Sequence, residues 1–190
     1  TSARGKTHDL GGMSPAHRRK LGLHFVPEER LGRGAVPTLG LAHNLLLTRR
    51  EAVGHHSGWL NLALLREQAQ DIIQRYKVKA SGPQAAAKSL SGGNLQKFIV
   101  GREIEAKPAL LIVSQPTWGV DVGAAAQIRG EILALRDAGC AVLVVSEELD
   151  ELFEISDRLH VMAKGRLSPS LNRAEATVER IGEWMSGLWD

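Results

Sequence analysis

The residues Leu90-Ser91-Gly92-Gly93-Asn94-Leu95-Gln96-Lys97 predict a tight turn that leads into a helix. Two adjacent glycines allow backbone amides to approach a ligand closely. Ser91 can cap the following helix and also offers a hydroxyl group. A helix N-terminus carries unpaired N–H groups and a partial positive charge, which together suit a phosphate group. Taken alone, a Ser-Gly-Gly loop more often only caps a helix, so the flanking sequence has to decide.

Apolar strands alternate with helices on the C-terminal side of this loop. The helix that follows the loop extends to about Ala106, and Ala109–Val113 is a continuous apolar run of strand length. Beyond it the pattern predicts, in order, a helix over Asp121–Ala138, a strand over Ala141–Val145, a helix over Glu147–Ile155, a strand over Leu159–Ala163, a tight turn at Lys164-Gly165 and a helix over Thr177–Leu188. Because these strands are apolar throughout, we expect a parallel sheet covered by helices on both faces, which is the α/β class.

The N-terminal side of the loop holds one strand and a helical region. Leu21–Val26 reads as a strand that ends at Pro27. A helix is predicted over Trp59–Val78, with apolar residues at helical spacing along one face. Ser81-Gly82-Pro83 ends this helix, so a helical segment separates the first strand from the strands that follow the loop.

The composition is that of a globular protein, since 43% of the 190 residues are hydrophobic. The longest apolar runs are far shorter than the roughly 20 residues of a spanning helix, and we expect no signal peptide. A single cysteine, Cys140, excludes an internal disulfide and fits a cytoplasmic protein. The net charge is +3, but aromatic residues make up only 4% and basic residues lie among acidic ones, so we expect no nucleic-acid binding.

A series of motifs continues from the glycine-rich loop in a fixed order: Leu90–Lys97, Ser114-Gln115-Pro116-Thr117, Gly119-Val120-Asp121, Ser146-Glu147-Glu148-Leu149-Asp150-Glu151, Ser156-Asp157-Arg158-Leu159 and Lys164-Gly165. From about residue 88 to residue 168, this series resembles the second half of an ABC ATPase domain. Upstream, Gly22–Arg33 is similar to the Q-loop region of the C-terminal ATPase domain in fused double-domain subunits that import simple sugars or nucleosides. The resemblance implies a P-loop NTPase-like parallel core sheet with an inserted helical subdomain.

The resemblance also implies a division of the chain into regions. Residues 1–34 would form the N-terminal part of the ABC core with the Q-loop region, and residues 35–90 would form the helical subdomain. Residues 91–170 would hold the signature loop, a degenerate Walker B motif, the D-loop and the switch region. Residues 171–190 would form a C-terminal helix.

A Walker A phosphate loop is not evident in the sequence. Gly5-Lys6-Thr7 is the nearest match, but it lacks the earlier glycine and the apolar strand that such a loop requires. The resemblance implies that Gly5-Lys6-Thr7 is a hairpin turn and that the Walker A strand and helix lie upstream of residue 1. We then expect one of two results in the sheet: Leu159–Ala163 pairs directly with Ala141–Val145, or a strand from another copy of the chain fills the gap.

The resemblance assigns residues to two different ATP sites. In the family, two ATPase domains face head to tail, and the signature loop of one closes over ATP held by the other. The residues implied to serve the partner's ATP are Ser91, Gly92, Gly93 and Asn94 of the signature loop and Asp121 of the D-loop. The domain's own site departs from the family pattern at Ser114 and Gln115 in place of the Walker B Asp and Glu, at Glu147 in place of the switch histidine and at Glu28 in place of the Q-loop glutamine. We therefore expect no intact catalytic residue in this chain.

In the intact transporter the resemblance implies ATP and Mg²⁺ as cofactors, with no cofactor bound to this chain alone. The implied partners are a second ABC ATPase domain, transmembrane permease subunits and, indirectly, a solute-binding protein, at the inner face of a bacterial plasma membrane. A homodimer of this chain is a further expectation. His55-His56 has no Cys or carboxylate at ligand spacing, so we expect no metal site.

Two other functions stay open. A soluble ABC protein of DNA repair or translation is expected to keep the Asp-Glu pair and the switch histidine, which this sequence lacks. Repair proteins also insert long coiled coils before the signature loop, whereas the segment between Val26 and Ser91 carries no sustained heptads. A non-enzymatic nucleotide-sensing module is the other alternative, because the chain contains no complete site.

Overall fold

The computed structural model describes residues 7–53 and 60–189. Gly5-Lys6 and His55-His56, on which two of the sequence-based expectations rest, lie outside the described residues. The chain divides into two compact units, Thr1–Val145 and Ser146–Asp190. In the described part of the chain, no helix is both long and apolar enough to span a membrane.

A three-stranded parallel sheet lies in the first unit. Its strands are β1 (Leu23–Val26), β2 (Leu110–Ser114) and β3 (Ala141–Val145), in the order β1-β2-β3. Leu23 pairs with Leu110, and Leu110 pairs with Ala141, so equivalent residues of the three strands lie side by side. These pairings confirm the predicted parallel sheet and place the carboxyl ends of its strands at one edge.

Helices connect these strands, and most lie close to their predicted positions. The predicted helix Trp59–Val78 is shorter in the structure, because Asn61 caps it by accepting the N–H of Leu64 at 3.0 Å. It ends before Lys77, whose positive φ of 49° is incompatible with a continuing helix. Among the described residues of this unit, the helices are α1 (Pro15–Lys20), α2 (Leu41–Asn44), α3 (Leu46–Val53), α4 (Leu62–Arg75), α5 (Gly92–Ile104) and α6 (Val122–Asp137).

Only one face of the sheet is buried. The buried side chains on that face are His24, Val26, Leu111 and Val113. On the opposite face Phe25 is 45% exposed, and Leu143 and Val145 are each 53% exposed. The expectation of helices on both faces is therefore wrong for the described residues. Apolar content could not reveal this, because successive strand residues point to opposite faces whatever covers them.

Helix α5 is buried over most of its length, Leu95 to Ile104. Within it Glu103 accepts a hydrogen bond from Nδ1 of His24 on β1 at 2.6 Å. Glu103 also accepts one from Nε of Arg102 at 2.7 Å, and Nη1 of Arg102 donates to the carbonyl oxygen of Asn44 on α2 at 3.1 Å. These bonds connect α5 to β1 on one side and to α2 on the other.

The carboxyl group of Glu103 is ionised despite its burial. Burial by itself raises the pKa of Glu103, but the hydrogen bond from His24 and the charges of Arg102, His24 and Arg19 hold that pKa below its usual range. Burial also lowers the pKa of Arg102, and the adjacent Glu103 opposes this shift. The two charges therefore depend on each other for their stability inside the unit.

Helices α2 and α4 pack with α5 around an apolar cluster of their own, whose main residues are Leu41, Leu45, Leu65, Ile72, Tyr76 and Phe98. Asn44 is fully buried at its edge. Its side chain accepts the N–H of Val36 at 2.8 Å and donates to the carbonyl oxygen of Leu39 at 3.0 Å. The buried side chain of Asn44 therefore holds the segment that precedes α2 and makes its hydrogen bonds within the protein.

The second unit contains two helices and two short antiparallel strand pairs among its described residues. The elements are α7 (Leu149–Ile155), α8 (Val178–Met185), β4 (Arg158–Leu159) paired with β7 (Leu171–Asn172), and β5 (Met162–Ala163) paired with β6 (Arg166–Leu167). The predicted turn at Lys164-Gly165 is confirmed, with φ angles of 50° and 72° in the hairpin between β5 and β6. Thr177 caps α8 as predicted, accepting the N–H of Arg180 at 3.2 Å.

The predicted strand Leu159–Ala163 is wrong as a single element. The two ends of this segment belong to different strand pairs. Between them, the N–H of Val161 donates to the side-chain Oγ of Ser168 at 2.9 Å and not to a backbone oxygen. Direct pairing with Ala141–Val145 is likewise not found among the described residues, where β3 pairs with β2. The alternative, a strand supplied by another copy of the chain, stays a prediction.

Replacing Glu103 by glutamine is expected to lower the free energy of unfolding by about 3–5 kcal/mol, because Arg102 stays buried without its counter-ion. Urea unfolding followed by circular dichroism measures this change. The control Asp137→Asn removes an exposed partner of Arg136 and should change the free energy of unfolding by less than about 0.5 kcal/mol.

The destabilisation caused by Glu103→Gln should depend on pH. Because the pKa of Glu103 is lowered in the folded chain, its stabilisation is fully present above the unfolded carboxyl pKa of about 4.3 and is lost as the pH falls through the folded value. The difference in unfolding free energy between wild type and Glu103→Gln should therefore shrink as the pH is lowered below about 4. A difference that stays constant with pH would contradict an ionised Glu103.

Candidate functional site

The signature loop lies exposed at the N-terminus of α5. Ser91 has extended backbone geometry and caps the helix as predicted, its Oγ accepting the N–H of Asn94 at 3.4 Å and Nδ2 of Asn94 at 2.9 Å. Oδ1 of Asn94 accepts the N–H of Lys79 at 2.8 Å, which ties the loop to the segment after α4. Ser91 and Gly92 are exposed, so a phosphate group could reach this end of α5.

Both glycines of the loop lie close to other groups of the protein. A Cβ atom on Gly93 would lie 2.9 Å from the carbonyl oxygen of Gly119. One on Gly92 would lie 2.6 Å from Nη1 of Arg30, the end of a side chain that can move. At Gly93 glycine is thus needed for space inside the protein as well as for access to a ligand, which the sequence could not show.

Arg30 joins the signature loop to the segment that follows β2. Its Nε donates to Oε1 of Gln96 at 3.0 Å, and its Nη2 donates to the carbonyl oxygen of Trp118. The guanidinium carbon lies 5.1 Å from the centre of the Trp118 ring, within range of a cation–π interaction. Partial burial lowers the pKa of Arg30, which still leaves the side chain charged at neutral pH.

Gln96 completes this connection from inside α5. It is only 1% exposed, and its Nε2 donates to the carbonyl oxygens of Gln115 at 3.2 Å and Pro116 at 3.0 Å. Arg30 and Gln96 are functional candidates that sequence reasoning missed. Nothing in the local sequence distinguishes Arg30 from the other basic residues, since its contacts are with residues far away in the chain.

The residues predicted to form a degenerate Walker B motif lie at the end of β2. Ser114 is the last residue of that strand, and Gln115 follows with a positive φ of 50° and donates its N–H to the carbonyl oxygen of Val145 at 2.7 Å. Ser114 and the exposed Glu28 line one open cleft together with Trp118. Ser114 and Glu28, two of the residues predicted for the domain's own ATP site, therefore line the same cleft.

Asp121 is the N-cap of α6. Its Oδ1 accepts the N–H of Ala124 at 2.9 Å, and this hydrogen bond, aided by the charge of Lys97, lowers the pKa of Asp121. Glu147 belongs to the second unit, where it is exposed and lies two residues before α7. The structure therefore groups Asp121 with the signature helix, while Glu147 lies in the separate unit.

The residues present suit a phosphate better than a magnesium ion. Mg²⁺ prefers carboxylate and phosphate oxygens, and the end of β2 offers a hydroxyl and an amide instead. Within residues 7–53 and 60–189, no group of three His, Cys, Asp or Glu side chains could hold a metal ion. The first turn of α5 offers backbone N–H donors and the hydroxyl of Ser91, which fit an anionic phosphate.

Solved structures with the same architecture define the class of fold. The chain matches a structure of the ATP-binding subunit of an ABC transporter with a TM-score of 0.73 at 16% identity, over 97% of this chain and 75% of that one. It matches the dimeric structure of MJ0796, a bacterial ABC transporter cassette, with a TM-score of 0.69 at 17% identity, over 85% of this chain and 68% of that one. The chain therefore has the α/β fold of ABC ATP-binding cassettes, as predicted.

Relatives that are similar to the chain in sequence are named as import ATP-binding proteins. The chain is 36% identical over 176 residues to the guanosine import ATP-binding protein NupO of Bacillus subtilis, covering 92% of this chain and 34% of the relative. It is 39% identical over 170 residues to the xylose import ATP-binding protein XylG of Burkholderia cenocepacia, covering 88% of this chain and 32% of the relative. The chain thus spans about a third of the length of these relatives. No known family profile matches it.

Replacing Gly93 by alanine is expected to lower the free energy of unfolding by about 1–3 kcal/mol, because the new Cβ atom meets the backbone oxygen of Gly119. Gly130→Ala is the matched control, since Gly130 lies in α6 with nothing within 4 Å of an added Cβ. That control should stabilise the chain by up to about 1 kcal/mol. Thermal unfolding of both variants measures the difference, and an equal gain would contradict the close contact at Gly93.

Proposed function

We propose that this chain is part of the ATP-binding subunit of an ABC importer, in which its signature loop closes over ATP held by a second ATPase domain. The observation that carries this proposal is an exposed Ser91–Gly93 loop at a helix N-terminus, beside a strand end that has no carboxylate. The relatives named as import ATP-binding proteins act on nucleosides, ribose and xylose, which supports a simple sugar or a nucleoside as the solute.

The signature loop would bind the partner's ATP mainly through its backbone. The first N–H groups of an α-helix have no acceptor within the helix, and their dipoles favour a negative charge. Oγ of Ser91 accepts both hydrogen bonds from Asn94, so its own hydrogen is available to a phosphate oxygen. Hydrogen-bond donors for the negative charge on the oxygens of the transferred phosphoryl group are supplied in this way without any titratable side chain.

The domain's own site would be catalytically degenerate. Hydrolysis of ATP requires a ligand for Mg²⁺ and a group that orients or deprotonates the attacking water. Ser114 and Gln115 supply neither function, and a carboxylate at Glu147 would repel a γ-phosphate. We place the phosphate loop of this domain outside the 190 residues, because Gly5-Lys6-Thr7 lacks the preceding glycine and strand.

The proposed assembly contains a second ATPase domain, transmembrane permease subunits and, through them, a solute-binding protein, at the inner face of the plasma membrane. ATP and Mg²⁺ would be bound there by residues of both ATPase domains. Residues 1–34 and 91–170 would form the ATPase core, residues 35–90 the helical subdomain and residues 171–190 a terminal helix.

The 190-residue chain alone is expected to release no phosphate from Mg²⁺-ATP above background. The double substitution Ser114→Asp and Gln115→Glu should not restore hydrolysis, because Mg²⁺ would still lack a cradled phosphate to bridge. A phosphate-release assay measures both. Steady turnover that is lost on Ser91→Ala would contradict the proposal.

In the import subunit that contains this chain, Gly93→Asp is expected to abolish ATP hydrolysis, while Gln115→Ala should have a much smaller effect. The first variant places a carboxylate beside the partner's γ-phosphate, and the second alters a site that already lacks its base. Gly93→Asn is the matched control, since it has the same size without the charge and separates repulsion from crowding. Equal losses of ATP hydrolysis in Gly93→Asp and Gln115→Ala would contradict the proposal that the two ATP sites are unequal.

A further inference from the structure

Three segments of the first unit meet at one place. They are the segment after β1, the signature loop Ser91–Gly93 and the segment after β2. Arg30, in the first of them, donates to the carbonyl oxygen of Trp118 in the third and to the side chain of Gln96 on α5, the helix that begins at the loop. Its guanidinium group thus lies at the junction of the three.

The fit between Arg30 and the loop leaves little free space. A Cβ atom on Gly92 would be 2.6 Å from Nη1, and one on Gly119 would be 3.4 Å from Nη2. The ring of Trp118 covers the guanidinium group from one side. The guanidinium group of Arg30 therefore lies close to both Gly92 and Gly119.

We propose that Arg30 is a positioning residue for the signature loop, which couples the segment after β1 to the ATP held by the second ATPase domain. This inference rests on the function proposed above. Glu28, in the same segment, is exposed in the cleft that Ser114 also lines. A displacement of that segment moves Arg30, and the hydrogen bond between Arg30 and Gln96 passes the displacement to α5, whose first turn carries the loop.

Arginine suits this role because its planar group donates in several directions at once. One edge serves Gln96, another serves the carbonyl oxygen of Trp118, and the face stacks on the indole ring. A lysine could keep the charge over the ring but would reach only one of the two acceptors. Arg30→Lys is therefore expected to be intermediate between wild type and Arg30→Ala.

Amide hydrogen exchange in the 190-residue chain tests the positioning directly. Arg30→Ala should speed exchange of the Asn94 and Leu95 amides, which donate to the side chain and the carbonyl oxygen of Ser91, about tenfold, the effect expected from losing one hydrogen bond to a charged group. The matched control is Arg136→Ala, which removes an arginine that bonds to Asp137 at the end of α6. This control should leave the loop amides unchanged.

ATP hydrolysis by the import subunit that contains this chain tests the coupling. The signature loop acts when the two domains have closed, so Arg30→Ala should lower kcat about tenfold and leave the KM for ATP within about twofold. A purely structural role predicts another result, in which activity falls only in proportion to the loss of folded protein on heating. That result, with loop exchange like that of Arg136→Ala, would overturn the proposal.

Gly93→Asp separates a failure of this inference from a failure of the proposed function. If Gly93→Asp abolishes hydrolysis while Arg30→Ala behaves like Arg136→Ala in both kcat and exchange, the positioning role of Arg30 is wrong. If Gly93→Asp leaves hydrolysis intact, the proposed function fails and the coupling to ATP fails with it. Exchange of the Asn94 and Leu95 amides then still decides whether Arg30 holds the loop.

Discussion

The buried contact between Arg102, Glu103 and His24 is the constraint on which the first unit depends. Helix α5 is enclosed by β1 and by the helices α4 and α6, so its buried charged residues must find their partners inside the protein. Glu103 is stable as an anion only where Arg102 and His24 meet it, and Arg102 also needs the carbonyl oxygen of Asn44. Apolar packing would tolerate small rotations of α5, whereas these directional bonds fix its angle to the sheet and to α2.

Fixing one end of α5 also fixes the signature loop at the other end. The carboxyl ends of β1 and β2 lie at the same edge of the parallel sheet, so the segments that follow both strands arrive beside the first turn of α5. Gln96 and Arg30 bind these segments through side-chain donors and backbone oxygens. The loop therefore stays exposed and yet has a defined position, which a backbone anion site requires because its donors cannot be repositioned by side-chain rotation.

Local sequence signals predicted the elements that local physics determines. Ser91 and Thr177 cap their helices, and Lys164-Gly165 forms its turn, because each involves residues a few positions apart. The strand Leu159–Ala163 was predicted wrongly because Ser168, farther along the chain, competes for its backbone bond. The role of Arg30 could not be predicted either, since Gln96 and Trp118 come close to it only in the folded chain.

Under the proposed function, the same geometry explains how one ATP site can lose its chemistry while the other keeps it. The segment after β2 is held by the backbone of Gln115, whose carbonyl oxygen accepts from Gln96 and whose N–H donates to Val145. Every residue except proline offers both of these backbone groups, so the side chains at Ser114 and Gln115 can change without releasing the segment. Gly93 has no such freedom, because a Cβ atom there would collide with the backbone oxygen of Gly119. Side-chain substitutions at the end of β2 are therefore tolerated by the fold, whereas a substitution of Gly93 disturbs it. Under the proposed function, this difference explains why the signature loop is kept while the residues at the end of β2 have changed.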